Sequence, residues 1–410
     1  MQLGDEATCI NDSWMYLLWT SDFSPFLTDA LGSRMVMCLL PAKHYVVTED
    51  GVNLTLQAVM HVITESWNRL SRIGIPVHDF PSRGGAEVFR LHGYVAGFRG
   101  DWKAMKQAFN FEMYADRDEI CWMCRATKGA QDMSMCFTDL SSTNGYWSTL
   151  YRFVPWRWTP AYASLDGFNT RQIFPDLLHV WHLGVCRDLI GSAMQLLLEA
   201  GVWDGRSEAT KLQNATIDLK SFAASHKLPL KLKKLSKTKL SLSTKKYPEL
   251  KSSGYDSYVV LRWLLCVCEN RGALIPDRLR TCVWAGNHVL SILTHAGHFL
   301  THSERQNRTV VGQLFLTSYI GLAHEELRRG RLLFRLRPKF HLFHHVCMNP
   351  SFINAGRYST WMDEDGLKKL MRIMRRTDAR TAEQRVLQRW LLSLYSVWTD
   401  LRWRATAQKS

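Results

Sequence analysis

Short apolar runs alternate with one amphipathic segment over the first hundred residues, and this alternation restricts the chain to folds that combine a sheet with helices. The runs at residues 15–20, 34–47 and 87–98 have the length and composition of strands. Between the second and third runs, residues 54–73 carry apolar side chains at the i, i+3, i+4 spacing of a helix. We therefore predict an α/β beginning.

The remainder of the chain has mainly helical periodicity. Apolar composition of 46% with 22% charged residues is typical of a folded protein rather than a disordered one. At 410 residues, the chain is long enough to bury a substantial core. Helices are predicted over residues 102–115, 174–199, 257–269, 278–301, 309–328, 365–376 and 382–401.

The charge balance favours an anionic partner. The 52 lysines and arginines exceed the 37 aspartates and glutamates, for a formal charge of +15, which favours nucleic acid or an acidic membrane surface. Ordinary solubility charge is the alternative. Since no run approaches the roughly twenty apolar residues that span a bilayer, and no signal sequence is evident, we expect a soluble intracellular protein without a membrane partner and with its ten cysteines reduced.

Two basic segments are candidates for contact with nucleic acid. Residues 227–251 hold nine lysines and one glutamate, a composition that suits a linker, a nuclear-import signal or a DNA-contacting loop, with a solvated flexible loop as the alternative. The second segment is the basic helix predicted at residues 365–376. The candidate nucleic-acid ligands are Lys231, Lys233, Lys234, Lys237, Lys239, Lys368, Lys369 and Arg372.

Acidic side chains occur where two predicted strands end and where a late helix begins. Asp22 and Asp101 follow apolar strands, and α/β folds present metal-binding carboxylates at such positions. Taken alone, Asp22 is more often a turn-capping aspartate, and helix N-capping is the alternative explanation of Asp101. Asp363, Glu364 and Asp365 open the basic helix, where the helix dipole favours acids but where a Mg²⁺ site would also account for three together.

A cysteine pair and several histidines offer ligands for a softer metal. Cys121 and Cys124 form a C-x-x-C half-site for zinc, and Cys136 follows as a third candidate ligand. A redox pair or unrelated core thiols are the alternatives. Further ligands could come from His179, His182 and Cys186. The histidine-rich residues 337–345 could contact DNA or line the metal site, although core histidines are the commoner explanation.

Asp176 and His179 lie three residues apart, a spacing that places both on one helical face where they can share a hydrogen bond. Such a pair is usually local structure. Its position downstream of Asp101 and of the cysteines is what makes it informative.

The order of these motifs resembles that of the CACTA (En/Spm-like) transposases, and it is similar to the wider C/D-x-x-H group that includes hAT and Kyakuja-Dileera-Zisupton elements. Residues 20–26 resemble the family's T-D-G-F-N-P-F, with Ser21 at the aspartate position, Asp22 at the glycine and Ser24 at the asparagine. Asp101 precedes a cysteine pair as the family's second aspartate does. The Asp176 to His179 stretch resembles its D-x-M-H, and Glu364 best matches its glutamate. The resemblance covers roughly residues 16–376.

This resemblance implies an α/β fold with a ribonuclease-H-like mixed sheet and a large, mainly helical insertion domain. The expected segments are residues 14–120 and 341–405 for the catalytic core and its C-terminal helices, with residues 121–340 as the insertion. The implied activity is hydrolysis and strand transfer at transposon ends, with Asp22, Asp101 and Glu364 holding Mg²⁺ or Mn²⁺.

A DNA substrate and a homo-oligomer are further expectations. The cysteines predict structural zinc, and the DNA substrate together with the lysine-rich segment predicts a nuclear location. The chain begins close to the first expected catalytic strand, so we expect the N-terminal DNA-binding region usual in such transposases to be missing. Two alternatives stay open. One is a non-catalytic nucleic-acid-binding protein derived from such an element, which the displacement of Asp22 favours; the other is an unrelated helical scaffold.

Overall fold

The computed structural model describes residues 14–20, 34–41, 44–78, 87–113, 117–130, 132–243, 245–378 and 380–407. Two compact units divide the chain: residues 1–66 with 360–410, and residues 67–359. Within the described ranges, no helix combines the length and the apolar character that a membrane crossing needs. The three segments expected from the sequence stay a prediction.

The first unit contains a hairpin and two C-terminal helices. Strands β1 (Trp14–Thr20) and β2 (Arg34–Pro41) pair antiparallel, from Trp14 opposite Pro41 to Thr20 opposite Arg34. Helix α1 (Leu54–Arg72) follows and crosses the boundary between the units. The C-terminal part of the unit consists of helices α10 (Trp361–Met374) and α11 (Ala382–Ala407).

A small apolar core holds α10 and α11 together. Leu370 of α10 packs with the buried side chains of Val386, Trp390 and Leu394 on α11. Val36 of β2 packs against the same cluster. Because the members on α11 are spaced by four residues, the periodicity that predicts the helix also supplies its buried face.

The second unit is built mainly from helices. Its small sheet is strand β3 (Ile75–His78) paired antiparallel with β4 (Glu87–Leu91). Two short helices follow, α2 (Trp102–Phe109) and α3 (Gly145–Ser148). The longer helices are α4 (Cys186–Glu199), α5 (Glu208–Ser225), α6 (Gly254–Asn270), α7 (Asp277–His295), α8 (His302–Arg328) and α9 (Pro338–Met348).

Large aromatic side chains fill the centre of the second unit. Trp181 stacks on Phe343 of α9, with ring centroids 4.3 Å apart, and meets Phe315 of α8 edge-on at 5.0 Å. All three side chains are buried. Buried aromatic rings remove large apolar areas from water, so this contact joins α8 and α9 to the segment that precedes α4.

The helix predicted over residues 174–199 is interrupted. A π-helical segment, Leu178–Val185, precedes α4, and Gly184 inside it has non-helical dihedral angles of φ −128° and ψ −109°. Lys339 donates to the Leu183 carbonyl at 3.3 Å and Arg337 to the Gly184 carbonyl at 3.2 Å, so α9 satisfies backbone groups that the kink releases.

The expected mixture of strands and helices is present, with helices dominant. Among the described residues, the named strands form two separate two-stranded antiparallel sheets, and a ribonuclease-H-like mixed sheet is not among them. The strand predicted to continue to residue 98 ends at Leu91. Phe98 instead makes an isolated parallel bridge with Ile173.

Candidate metal centre and acidic residues

Tight turns bring the two cysteines of the C-x-x-C motif together. The Ile120 amide donates to the Ala126 carbonyl at 3.1 Å and closes the loop that contains them. Inside it, the Met123 amide donates to Cys121 Sγ at 3.3 Å. An amide directed at sulfur favours the thiolate, which is the form that binds metals.

Helix α9 supplies two histidines to the same place. Pro338 occupies the first turn of the helix, where its missing N–H costs nothing. His341 and His345 are four residues apart and therefore lie on one face. Both rings are buried, with 0% and 3% of their surface exposed.

Cys121, Cys124, His341 and His345 form one buried cluster whose ligand atoms all lie within 4.8 Å of one another. Cys124 Sγ is 3.2 Å from Nε2 of His341 and 3.3 Å from Nε2 of His345, and the two Nε2 atoms are 2.9 Å apart. Metal bonds of about 2.3 Å to sulfur and 2.0–2.1 Å to nitrogen require ligand atoms at close to these separations. The cluster could therefore hold a structural metal ion such as zinc.

Aromatic side chains surround the cluster and orient the neighbouring histidine. The Tyr146 hydroxyl donates to the Asp139 carbonyl at 3.0 Å, so it accepts from Nδ1 of His344 at 3.2 Å. The Trp147 ring lies edge-on to His345, with centroids 5.4 Å apart. His344 is thus held by Tyr146, next to the cluster but outside its ligand set.

The two thiols differ in how readily they lose a proton. Burial raises the pKa of Cys121, but the hydrogen bond with Cys124 and the adjacent His345 and His341 outweigh it and hold that pKa well below its usual value. Burial and the hydrogen bond with Cys121 raise the pKa of Cys124. One thiolate therefore forms readily, and a bound cation would favour the second.

The third cysteine expected at this site lies elsewhere. Cys136 Sγ is 3.2 Å from the Thr138 hydroxyl and is not one of the four clustered residues. The further candidates His179, His182 and Cys186 are not members either. A signal for the missing half was present in the sequence, because H-x-x-x-H at 341–345 has zinc-ligand spacing.

A short parallel pairing precedes two of the aspartates. The Phe98 amide donates to the Gln172 carbonyl at 2.7 Å, and the Phe174 amide donates to the Phe98 carbonyl at 2.9 Å. Asp101 comes three residues after Phe98, and Asp176 comes three residues after its bridge partner Ile173. Both acids therefore follow the same end of one parallel pair.

The two aspartates have different surroundings. Asp101 is exposed and caps helix α2, accepting the Ala104 amide at 2.7 Å. Asp176 is 3% exposed; it accepts the Leu178 amide at 3.0 Å and pairs with Nδ1 of His179, as their spacing predicts. Asp176 is thus committed to internal hydrogen bonds, whereas Asp101 stands at the surface.

Further buried charges lie beside the π-helical segment. Asp188 contacts Arg337 Nε at 2.6 Å, and burial raises its pKa to about 7 against the opposing effect of that arginine. Burial, followed by the charge of Arg337, lowers the pKa of Lys339 to about 8; Asp101 is among the charges that act in the opposite direction.

The other two expected catalytic acids do not belong to the described part of the second unit, where Asp101 lies. Asp22 lies outside the described residues. Glu364 belongs to the first compact unit, in the first turn of α10, where it is half-buried and 4.0 Å from Lys368. Its neighbour Asp365 pairs with Lys369 at 3.4 Å.

The candidate nucleic-acid ligands are largely at the surface. On α10, Lys368 and Arg372 are exposed and Lys369 is half-buried. The candidates in the lysine-rich segment are all exposed: Lys231, Lys233, Lys234, Lys237 and Lys239.

Comparison of the sequence with protein-family models and with curated proteins gives no match. The function therefore has to be inferred from the residues themselves. Three features bear on the function: the metal cluster, the paired segments before Asp101 and Asp176, and the basic surface.

Proposed function

We propose that this chain is a DNA transposase-like protein whose Cys121, Cys124, His341 and His345 cluster holds a structural zinc ion. The observation that carries the proposal is the parallel pairing of Phe98 with Ile173, which places Asp101 and Asp176 after the same end of two extended segments. Asp101 is the exposed one of the two, and a metal-dependent nuclease of the α/β class presents metal-binding carboxylates at such an end.

The proposed reaction is metal-dependent cleavage and joining of phosphodiesters. In this proposal Asp101 would hold Mg²⁺ or Mn²⁺, and the bound ion would activate water or a DNA 3′-hydroxyl for attack; the resemblance assigns the other two metal-binding positions to Asp22 and Glu364. Both carboxylate oxygens of Asp176 already take part in hydrogen bonds, one with the Leu178 amide and one with His179 Nδ1. In this proposal Asp176 is therefore a positioning residue that acts through the His179 ring. DNA as partner, a homo-oligomer and a nuclear location belong to the same proposal.

Zinc is the proposed occupant of the cluster because its donor set is two thiols and two imidazoles. Those donors suit zinc better than Mg²⁺, which takes oxygen ligands. All four ligands are buried, and a structural zinc site likewise has no open position for substrate. The zinc therefore stabilises the fold in this proposal and takes no part in the reaction.

Replacement of Asp101 by asparagine tests the catalytic part of the proposal. Asn caps helices as well as Asp, so Asp101→Asn keeps the α2 cap and removes the charge. We expect wild-type protein to nick supercoiled plasmid and join a duplex oligonucleotide to it in Mg²⁺ or Mn²⁺. The variant should lose roughly 100-fold or more of both activities, as expected for loss of one electrostatic group at the reacting phosphate.

The matched control is Asp132→Asn. Asp132 is also an exposed helix-capping aspartate, accepting the Ser134 amide at 2.8 Å, and it lies in the same compact unit. Its variant should keep both activities. Equal losses in the two variants, or a wild-type protein that neither binds nor cleaves DNA, would contradict the proposal.

The second candidate function is DNA binding without catalysis. The exposed lysines of residues 227–251 favour it, since they are present whether or not Asp22 reaches a metal. In the same assay, wild-type protein that binds duplex DNA equally well with and without Mg²⁺, and never cleaves it, would establish this alternative.

A further inference from the structure

Residues 227–251 concentrate positive charge on one short stretch of chain. Nine lysines and one glutamate occur there, and the chain as a whole has an excess of 15 positive charges. Lysines this close repel one another, which destabilises the folded state unless an anion compensates. A purely structural role for the segment would not require this destabilising concentration of positive charge.

Buried leucines hold the segment against the second unit. Leu232, Leu235 and Leu240 are 6%, 3% and 0% exposed, and the lysines between them remain at the surface. The alternation directs apolar side chains inward and ammonium groups outward. The segment is therefore packed onto the fold through its leucines.

Backbone hydrogen bonds join the same segment to three helices. The Lys231 amide donates to Asp256 of α6 at 2.9 Å, and the Leu235 amide to the Thr216 hydroxyl of α5 at 3.0 Å. Near its end, the Leu250 amide donates to the Arg187 carbonyl of α4 at 3.0 Å. These contacts fix where the lysines emerge, so little ordering is needed when an anion binds.

We define the lysine face as Lys231, Lys233, Lys234, Lys237 and Lys239 together with Lys220 of α5. Among the described residues, its one ion pair joins Lys237 to Glu208 at 3.8 Å, with both side chains about half exposed or more. Lys220, Lys231 and Lys233 line an open depression of about 580 Å³. Most of the positive charge is therefore available to an external anion.

The chemistry of the face selects among polyanions. Residues 227–251 contain one aromatic side chain, Tyr247, which is half-buried with Arg335 over its ring at 5.9 Å, so the segment offers little for unpaired bases to stack on, which disfavours single-stranded nucleic acid. Leu228 and Leu230 are half-buried, Leu232, Leu235 and Leu240 are buried, and none of the large exposed apolar side chains lies in the described part of residues 227–246, so the face offers no projecting apolar anchor for a membrane surface. The remaining candidate is a duplex, whose phosphates lysines can contact without base stacking or the insertion of apolar side chains.

We infer that the lysine face is a preformed binding surface for the phosphate backbone of duplex DNA, largely independent of base sequence. The inference rests on the proposed function for the choice of DNA and adds the surface that binds it. Lysine contacts a phosphate as a point charge, so the surface supplies affinity and orientation while base readout comes from elsewhere.

The test compares two charge-matched triple variants of the full chain. Lys231→Gln/Lys233→Gln/Lys234→Gln removes charge from the face, and Arg69→Gln/Lys128→Gln/Arg328→Gln removes the same charge at exposed positions elsewhere in the second unit. Binding of a 30-base-pair duplex is measured by fluorescence anisotropy between 50 and 300 mM salt. Thermal melting checks that both variants fold.

The lysine-face variant should bind roughly 10- to 100-fold more weakly near 0.15 M salt, and its slope of log K against log salt should fall by about 2 to 3, since each lost phosphate contact contributes about 0.9. The control should stay within about threefold of wild type. Equal weakening of both variants, or tighter binding of anionic phosphatidylserine vesicles than of duplex through the same lysines, would overturn the inference. Wild-type protein that binds no DNA would instead overturn the proposed function.

Discussion

At the scale of single residues, burial sets the protonation of Asp188. The side chain is 1% exposed, and burial raises its pKa to about 7 in spite of Arg337 at 2.6 Å. Glu249 acts in the same direction as burial, while Arg335 and Lys339 oppose it. Because an unfolded aspartate titrates near 3.9, the folded protein binds an additional proton between about pH 4 and pH 7.

The variant Asp188→Asn should therefore have a different pH dependence of stability from wild type. A pKa that is raised on folding contributes stability at low pH, and the contribution is lost as pH rises through the folded value. Between pH 5 and pH 8, wild type should lose roughly 1 to 3 kcal/mol of unfolding free energy relative to the variant. Urea unfolding at several pH values measures the difference.

An exposed aspartate serves as the control for this experiment. Asp204→Asn removes an exposed carboxyl group from the same unit, so it measures the general effect of replacing an aspartate by asparagine. If the Asp188→Asn curve runs parallel to wild type from pH 5 to pH 8, then Asp188 is ionised throughout that range and its pairing with Arg337 outweighs burial.

The residues of the metal cluster show which part of the site the sequence predicts and which part it does not. Cys121 and Cys124 are recognisable because their spacing is local and chemically distinctive. His341 and His345 have an equally suitable spacing, but more than 200 residues separate them from the cysteines. Nothing local says that α9 returns to that loop, because tertiary packing alone brings them together.

At the scale of elements, predictions succeed where the signal is a local periodicity. The helix predicted at residues 54–73 is observed as Leu54–Arg72, and the apolar run at residues 15–20 becomes strand β1. In the helix predicted at residues 174–199, the segment Leu178–Val185 is π-helical with a kink at Gly184, where Arg337 and Lys339 donate to backbone carbonyls. Such long-range contacts leave no period in the sequence.

The lysine-rich segment should loosen when one of its buried leucines is shortened. Leu240 is fully buried, so Leu240→Ala leaves a cavity and should cost about 2 to 5 kcal/mol. Trypsin should then cut after the lysines of residues 227–251 faster than in wild type. Limited proteolysis with mass spectrometry of the fragments measures this.

Leu327→Ala is the matched control for that experiment. Leu327 is 61% exposed on α8, so its truncation should change stability by less than about 0.5 kcal/mol and leave the tryptic pattern as in wild type. If Leu240→Ala and wild type are cut at equal rates in residues 227–251, the segment is not held by its leucines.

At the scale of the whole molecule, the metal cluster joins distant parts of one unit. The C-x-x-C loop and helix α9 are separated by most of the second unit's sequence, and a shared ion would act on it as a cross-link. A link across a long loop removes conformational freedom from the unfolded chain. Binding energy of the ion is at the same time folding energy.

Removal of the ion should therefore destabilise the protein as a unit. We expect about one zinc per wild-type chain by plasma mass spectrometry, and a melting temperature that falls by roughly 5 °C or more in a strong chelator. His345→Gln should lose the zinc and become indifferent to the chelator. His344→Gln, on the same helix but outside the ligand set, should keep the zinc.

If the cluster holds a metal other than zinc, the same difference in metal content between the variants is expected. Wild-type protein without any bound metal, or equal metal content in His345→Gln and His344→Gln, would show that the four side chains do not form a metal site. Melting curves of the two variants in chelator distinguish loss of the ion from general damage to α9.

The position of the two ligand pairs has a topological consequence. The chain leaves the cluster after Cys124 and returns to it at His341. With an ion bound, the intervening residues would form a ring that the metal closes. Cleavage of a peptide bond within that ring, for example beside the exposed Lys245, opens the ring but leaves each fragment attached to the metal. The two fragments would remain tethered through the ion, and separating them would require a denaturant and a chelator together.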